Sequence, residues 1–398
     1  MRIAWKVTKS VLILKELKKL CISQENYERD GGEMTQRETE ILKLIEKDPL
    51  LSQRQIAEIL GITRSSVAVH ISNLMKKGLI AGKGYITNSK SYATVVGGVN
   101  VDIQGFPYQK LIPEDSNPGR VKISLGGVGR NIAENMARLG ISVKLISAIG
   151  EDIYGKRIMD ECKANGVDLS DSLYLEGGST STYLSILNEK GDMVLAIAHM
   201  DIFDRISPEF IKSKNRIFQK SQLVVIDTNI PQEVIELLLT TYKNTDYFLD
   251  TVSTTKARKV KHLIGYFHTI KPNRLEAEIL FGREINDRED LIAASEYFLE
   301  QGVKNVYISL GKDGVFYNNG SSRGFAQAAT IEVINATGGG DAFVAALAYA
   351  HINNLSIEES ARMGIAASML AISHENTINP NMSVENLRLY MEDVQNVK

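Results

Sequence analysis

From Tyr92 onward, apolar runs of strand length alternate with amphipathic stretches of helix length. "VKLISAIG", "QLVVIDTN", "YFLDTVS", "FHTIKPN" and "NVYISLG" are rich in β-branched and aromatic residues, and "YATVVGGVNVDIQG" reads as one strand ending in glycines and an acid. Between them, "GRNIAENMARLG", "GKRIMDECKANG", "PQEVIELLLTTYK", "RLEAEILFG" and "LIAASEYFLEQG" repeat apolar residues at the spacing of a helix face. Strands that are apolar throughout have no solvent face. The alternation therefore predicts an α/β domain, a parallel sheet covered by helices on both sides. Ligands in such sheets bind at the carboxyl ends of the strands. Most of the Gly, Asp and Asn clusters fall at those ends.

Two stretches break the alternation. "FPYQKLIPEDSNPGRVKIS" and "STYLSILNEKGDMVLAIAHM" read as strands with polar turns, the second turning at Asn188–Asp192. Antiparallel pieces inserted into a parallel fold commonly form a small β lid over the site. An edge extension or a dimer interface is compatible with the same pattern, and a homodimer is expected.

The N-terminal part follows another rhythm. After Thr35, Ile41, Leu42 and Ile45 fall at helical spacing, and Asp48-Pro49 breaks the run. In "SQRQIAEILGITRSSVAVHISNLMKKGLI", Ser52 starts a short helix carrying Ile56, Ala57 and Leu60, and Gly61 ends it. Thr63 starts a second helix, with Val67, Val69, Ile71 and Leu74 as its apolar contacts. Two short helices joined at a Gly turn, with a small Ala where they cross, predict a helix-turn-helix. "GLIAGKGYIT" adds two extended runs around Gly82–Gly84, suited to a wing, and the whole resembles the winged helix-turn-helix of bacterial regulators. No acid occurs between Glu58 and Asp102, whereas Arg64, Lys76, Lys77, Lys83 and Lys90 do. DNA is the expected partner of Arg64, Lys76, Lys77 and Lys83. Modules of this kind also serve dimerisation, and that alternative stays open. His70 has no second ligand at coordinating spacing and reads as an exposed or half-buried side chain.

Composition adds limits. A chain of 398 residues with 43% hydrophobic and 24% charged content has room for two globular domains. The expected division is a tail at 1–33, the winged helix-turn-helix at 34–90 and the α/β domain at 91–398. Met34 is a candidate natural start, with the preceding residues either read-through or a mobile tail. The net charge of −2 excludes a uniformly basic nucleic-acid binder but not a local basic face. Cys21 and Cys162 are too few for a disulfide framework or a thiolate metal cluster, and a reducing cytoplasm fits best. No apolar run approaches the roughly 20 residues of a spanning helix, and Lys15, Glu16, Lys18 and Lys19 interrupt any signal-peptide core. No membrane partner is expected.

"NATGGGDAF", Asn335–Phe343, raises the question of chemistry. Its glycines allow a tight turn and Asp341 could simply cap the next helix; alternatively, bare amides at a helix start hold an anion beside a catalytic base. The order "GGVNVD", "GGVGRNIAENMARLG", "KPNRLEAEIL", "SLGKDGV", "NATGGGDAF" resembles the ribokinase-like carbohydrate kinase family, also called PfkB, from Tyr92 to the C-terminus. One position departs: the family usually has Gly-Ala-Gly-Asp where this chain has Gly338-Gly339-Gly340-Asp341. The resemblance implies ATP and Mg2+ as cofactors and transfer of the γ-phosphoryl group to an alcohol. It implies Asp341 as acceptor of the hydroxyl proton and the amides of Gly338, Gly339 and Gly340 as donors to the phosphoryl oxygens. Lys271, Asn273, Ser309, Gly311, Gly314 and Thr337 would then serve ATP, and Glu276 would act on Mg2+ through water. Ala366, Ala367 and Ser368 would wall the adenine, although core packing explains them equally well.

On the acceptor side, the family resemblance places the furanose of the substrate on Asn100, Asp102, Gly126, Gly127 and Asn131. A carboxylate beside an amide suits a diol, since each hydroxyl donates to one and accepts from the other. The stretch around "DSNPG", with "DTVSTTKA", "MDIFDRISPE" and "INPNMS", resembles the pseudouridine kinases of the family more than its ribokinases or fructokinases. That likeness implicates Ser116 and Asn117 in contacting the base. The expected reaction phosphorylates the 5′-hydroxyl of pseudouridine. Another nucleoside, such as inosine or cytidine, or a sugar is the alternative. A ligand-sensing transcriptional regulator is the reading from another class, and the presence of every motif carboxylate argues against it.

Overall fold

The computed structural model describes residues 34–48, 51–77, 79–80, 92–327, 331–335 and 337–397. The chain divides into two compact units, Met1–Ser89 and Lys90–Lys398. Among the described residues, no helix is long and apolar enough to cross a membrane.

The N-terminal unit is built on α1 (Gln36–Lys47), α2 (Gln53–Leu60) and α3 (Arg64–Lys76). Thr35, Ser52 and Thr63 cap them, each accepting a bond from the backbone three residues on, and Gly61 ends α2 in the left-handed region at φ +65°. Ile41, Ile45, Ile56, Val67, Ile71 and Leu74 pack into one core. Val69 does not join them. It is 58% exposed, because Val67, Ile71 and Leu74 recur at helical spacing and residue 69 falls on the opposite face. The expected wing, with Lys83 and Lys90, lies outside the described residues.

The second unit contains β1 (Tyr92–Val96), β2 (Asn100–Pro107), β3 (Gly119–Gly126), α4 (Val128–Arg138), β4 (Val143–Ile146), β5 (Ala148–Gly150), β6 (Val167–Asp168), β7 (Leu173–Leu175), β8 (Thr182–Leu187) and β9 (Met193–His199). Beyond them come β10 (Ser221–Asp227), β11 (Asp246–Asp250), β12 (Thr269–Ile270), α5 (Arg274–Phe281), β13 (Asn305–Ser309), β14 (Val315–Asn318), β15 (Arg323–Gln327), α6 (Gly339–Ile352), α7 (Ile357–Ile372) and β16 (Gln395–Val397). The main sheet has the order β16-β15-β14-β13-β12-β11-β10-β1-β4-β6. It is parallel from β6 to β13, and β14, β15 and β16 add an antiparallel edge. Both faces are buried. Val95, Leu223 and Val225 enter one apolar cluster, while Val96, Val224 and Ile226 enter the other.

"YATVVGGVNVDIQG" is two strands rather than one. β1 ends at Val96 in the main sheet, and β2 starts at Asn100 in a separate four-stranded sheet of order β3-β2-β8-β9. At the break the chain packs too closely for a side chain: a Cβ on Gly97 would stand 2.3 Å from Asp227 Oδ2 and 3.0 Å from Gly129 Cα. The small sheet unites the two stretches that broke the helical alternation. Its β2–β8 pair is parallel, whereas β2–β3 and β8–β9 are antiparallel. The second hairpin turns at Asn188–Asp192 with Gly191 at φ +88°.

Candidate active site

Asp341 is not a helix cap. The N-cap of α6 is Gly338, in the left-handed region at φ +86°, and no side chain caps this helix. A side chain at 338 would also be blocked, since a Cβ there would lie 2.3 Å from the Thr377 carbonyl oxygen. The first amides of a helix have no intrahelical partners. Uncapped amides with a helix dipole behind them favour an anion. Gly339 is buried, and a methyl at that position would meet Ile372 Cγ2 at 3.0 Å, so Ile372 occupies the space that the family's Ala would fill. Ser368 Oγ donates to Gly339 O at 2.7 Å and ties α6 to α7.

Asp341 sits in the first turn of α6, and Asn131 Nδ2 donates to its Oδ2 at 2.8 Å. Arg130 fixes the orientation of that amide by donating to Asn131 Oδ1 at 3.2 Å, and it pairs with Glu134 on the same helix. Desolvation pushes the Asp341 carboxyl up to about 7; Asp250 and Asp227 add to the rise, and Asn131 and Lys271 oppose it. Asp227 is fully buried at the end of β10, accepts from the Gly98 and Asn229 amides, and is raised to about 6, chiefly by burial. Asp250, its partner in register on β11, has Lys271 Nζ 4.0 Å away. Lys271 also lies against the backbone of Gly340, whose absent Cβ would stand 3.5 Å from Nζ. Val252, two residues past Asp250, holds φ +59°, a strained value for a β-branched residue, and donates its amide to Asp250 Oδ1 at 2.8 Å.

Asn273 caps α5 and forms a reciprocal capping box with Glu276. Glu276 Oε2 also accepts from Thr251 Oγ1 at 2.6 Å, which links this helix start to the end of β11. Ser309 bonds back to Pro272 O and bridges Asn273. On the other side of the site, Asn100 Nδ2 donates to Asp102 Oδ1 at 2.6 Å. Gly126 must lack a side chain because a Cβ would fall 2.2 Å from Asp102 Oδ2, and Gly127 is at φ +98° against Gly98 and Val99. Burial raises the Asp102 carboxyl, while Asn100 and the Arg130 charge lower it.

Residues 90–384 match the pfkB family carbohydrate kinase profile. The chain belongs to that family. Residues 34–81 match a winged helix-turn-helix DNA-binding profile, so the kinase carries a winged helix-turn-helix domain at its N-terminus. The pseudouridine kinase of Escherichia coli K12 is 37% identical over 77% of this chain and 98% of its own length. An uncharacterized sugar kinase of the same organism is 37% identical over 89% of this chain and 98% of its own length. The guanosine-inosine kinase of Exiguobacterium acetylicum is 27% identical over 72% of this chain and 97% of its own. Among solved structures, a Clostridium perfringens protein described as a sugar kinase matches with a TM-score of 0.71 and 47% identity, covering 77% of this chain and 97% of its own. Arabidopsis thaliana ribokinase, complexed with ribose and ATP, shares the fold at a TM-score of 0.68 and 22% identity over 76% of this chain and 99% of its own. The kinase is therefore a phosphotransferase with an alcohol acceptor.

Several expected contacts of the kinase take another form. Asn117 spends its carboxamide on its own loop: Oδ1 accepts from Ile112 N, and Nδ2 donates to the Ile112 and Asp115 carbonyls. Ser116 is exposed beside it. The close approach at Gly314 is to the Ala326 carbonyl, 2.1 Å from where a Cβ would be, while Gly311 at φ +63° has open space around it. Thr337 is exposed, with its amide on Asn335 Oδ1. Ala366 and Ala367 have no exposed surface and belong to the core. Lys77 pairs with the buried Glu38 of α1 at 2.8 Å, so its charge is opposed after all. Asp227 and Asp250 are the site residues that sequence reasoning missed. Their signal was an Asp ending each of two apolar strands, followed both times by Thr.

Proposed function

We propose that the chain transfers the γ-phosphoryl group of ATP, with Mg2+, to the 5′-hydroxyl of pseudouridine, and that its N-terminal domain binds DNA. The Asn131–Asp341 contact carries the catalytic half, because it joins α4, which follows the acceptor residues Gly126 and Gly127, to the uncapped start of α6. In this reading Asp341 takes the proton of the attacking hydroxyl, and the Gly338, Gly339 and Gly340 amides meet the phosphoryl oxygens. Lys271, beside Gly340, offsets the negative charge that gathers there. Burial raises Asp227 and Asp341, and the neighbouring carboxylates add to the rise; a hydrated divalent cation would relieve that repulsion, and Glu276 has Oε1 left for it once Oε2 is engaged. Mg2+ would neutralise phosphate charge and orient the triphosphate.

Pseudouridine is favoured by the 37% identity to the E. coli pseudouridine kinase over 98% of that enzyme. Its kcat/KM is expected to exceed those of uridine, ribose and fructose by more than tenfold, about 1.4 kcal/mol of transition-state binding. A coupled ADP-release assay across nucleosides and sugars measures this. A tenfold preference for inosine or cytidine would transfer the assignment to those nucleosides, and turnover with no acceptor would support a ligand-sensing regulator.

For the DNA half, Arg64 and Lys76 are exposed at the two ends of α3. Lys76→Ala is expected to weaken DNA binding across sequences and flatten its log–log salt slope by about one. Lys77→Ala acts differently: it leaves Glu38 buried without its ammonium and lowers domain stability by about 1–3 kcal/mol. Anisotropy titrations against the protein's own upstream DNA, with thermal melts, separate the two. An unchanged slope for Lys76→Ala removes α3 from the interface and favours dimerisation. A homodimer through the lid is consistent with the exposed Val121, Met193, Leu195 and Ile197, and sedimentation showing only monomer at micromolar concentration would exclude it.

A further inference from the structure

The far end of the domain holds a cluster that phosphoryl transfer does not use. Asp246 opens β11, the strand whose last residue is Asp250, and His351 lies near the end of α6, the helix whose first turn carries Asp341. Ten helical residues and four strand residues place the two groups about 15 Å and about 13 Å from those site residues. His268 precedes β12, the strand beside β11. His351 Nε2 and Asp246 Oδ2 are 3.0 Å apart, and one ligand atom from each of Asp246, His268 and His351 lies within 4.8 Å of the others.

We propose that Asp246, His268 and His351 bind a divalent transition ion of the Zn2+ class. Two imidazoles and one carboxylate form a mixed N/O donor set, which suits Zn2+ and its neighbours, whereas Mg2+ takes oxygen ligands. Ligands about 2.0–2.2 Å from a tetrahedral ion stand roughly 3.3–3.5 Å from one another. The His351–Asp246 pair already has nearly that separation, and the third ligand atom lies within 4.8 Å of both. The imidazole rings of His268 and His351 are 4.6 Å apart at 64°, so their edges can converge on one point rather than stack face to face. His268 Nδ1 is 2.9 Å from Thr269 Oγ1; with Nε2 as the ligand atom, that contact would supply the outer hydrogen bond that metal-bound imidazoles usually have. The His351 and Asp246 side chains are 28% and 47% exposed, so an ion has an entry path and room for a water as fourth ligand. The ammonium of Lys304 works against a cation here, and the Asp246 carboxylate offsets it. A bound ion would clamp the C-terminal end of α6 to the start of β11.

The test uses the full chain with Mg2+ in excess, so that the all-oxygen phosphotransfer site does not compete. Co2+ is titrated as a spectroscopic probe and then displaced with Zn2+. One equivalent of Co2+ should give the intense visible absorption of a low-coordinate, nitrogen-ligated ion, and Zn2+ should abolish it and raise the melting temperature. Asp246→Asn and His351→Gln should each weaken Co2+ binding at least about tenfold. Kinase activity with Mg2+ but without Co2+ or Zn2+ should stay within about twofold in these variants, since neither residue touches the reacting groups. Asp246→Asn is half-exposed and nearly isosteric, so it reports on the site even if His351→Gln fails to fold. An unchanged Co2+ spectrum in Asp246→Asn, or no such spectrum in the unsubstituted protein at micromolar metal, overturns the proposal.

Discussion

Asp341→Asn is expected to lower kcat by at least ~10²-fold and at the same time to raise thermal stability above neutral pH. Both effects come from one carboxylate. Asp341 is half-buried, and desolvation, with Asp250 and Asp227 nearby, lifts its pKa to about 7. A carboxyl whose folded pKa exceeds its unfolded value, ~3.9, favours the protonated fold. Its contribution to stability is greatest below pH ~4 and is lost as pH rises through about 7. The same sign holds for Asp227, raised to about 6. Above neutrality the free protein therefore carries charges that its fold disfavours. Asn removes one of them while keeping a group that accepts the Asn131 bond. Melts of the two proteins should coincide below about pH 4, where the carboxyl is protonated in both states, and separate progressively up to pH 8, with the variant higher. In the unsubstituted enzyme, kcat/KM should climb with pH through the Asp341 titration, because only the ionised form accepts the hydroxyl proton; the variant should stay low and flat. Near-normal turnover would remove Asp341 from proton transfer. Coincident melts at pH 8 would show that its charge is not disfavoured in the fold.

What the sequence disclosed follows from the range of each interaction. Helix starts were legible because Thr35, Ser52 and Thr63 bond to backbone only three residues away. The strand break at Gly97 was not, since the pattern stays strand-like into β2 and the carboxylate that Gly97 packs against, Asp227, lies 130 residues on. Asp227 and Asp250 look like ordinary strand ends until parallel pairing sets them side by side. Lys77 seemed free of acids because charge was counted along neighbouring sequence, and Glu38 arrives from another helix. Asn117 carried the chemistry of a base contact, but the loop's own amide and carbonyls are nearer partners. The glycines were legible as a class. Which atom each accommodates was not: Gly126 makes room for a carboxylate and Gly314 for a carbonyl.

The acceptor side yields the second large effect. Asp102→Ala should reduce kcat/KM for pseudouridine, inosine and ribose by a common factor of about 10²–10⁴, leaving KM for ATP within a few-fold. Asp102 is held by Asn100, and its other oxygen lies over Gly126, where only a missing side chain leaves space. If the carboxylate receives the two vicinal hydroxyls of a ribose, each bond to a charged group contributes about 1.5–3 kcal/mol. Loss of the pair then corresponds to about 3–6 kcal/mol, or two to four powers of ten. The factor should be shared because the diol belongs to every ribosyl acceptor, while the base lies elsewhere. Gly126→Ala provides a separate check: its methyl would intrude to 2.2 Å from Asp102 Oδ2, displacing the carboxylate without deleting it. It should reproduce the same uniform loss. If Asp102→Ala instead changes the ratio of pseudouridine to inosine by more than tenfold, Asp102 recognises the base, and a loss under threefold for all three acceptors would place the diol away from β2 altogether.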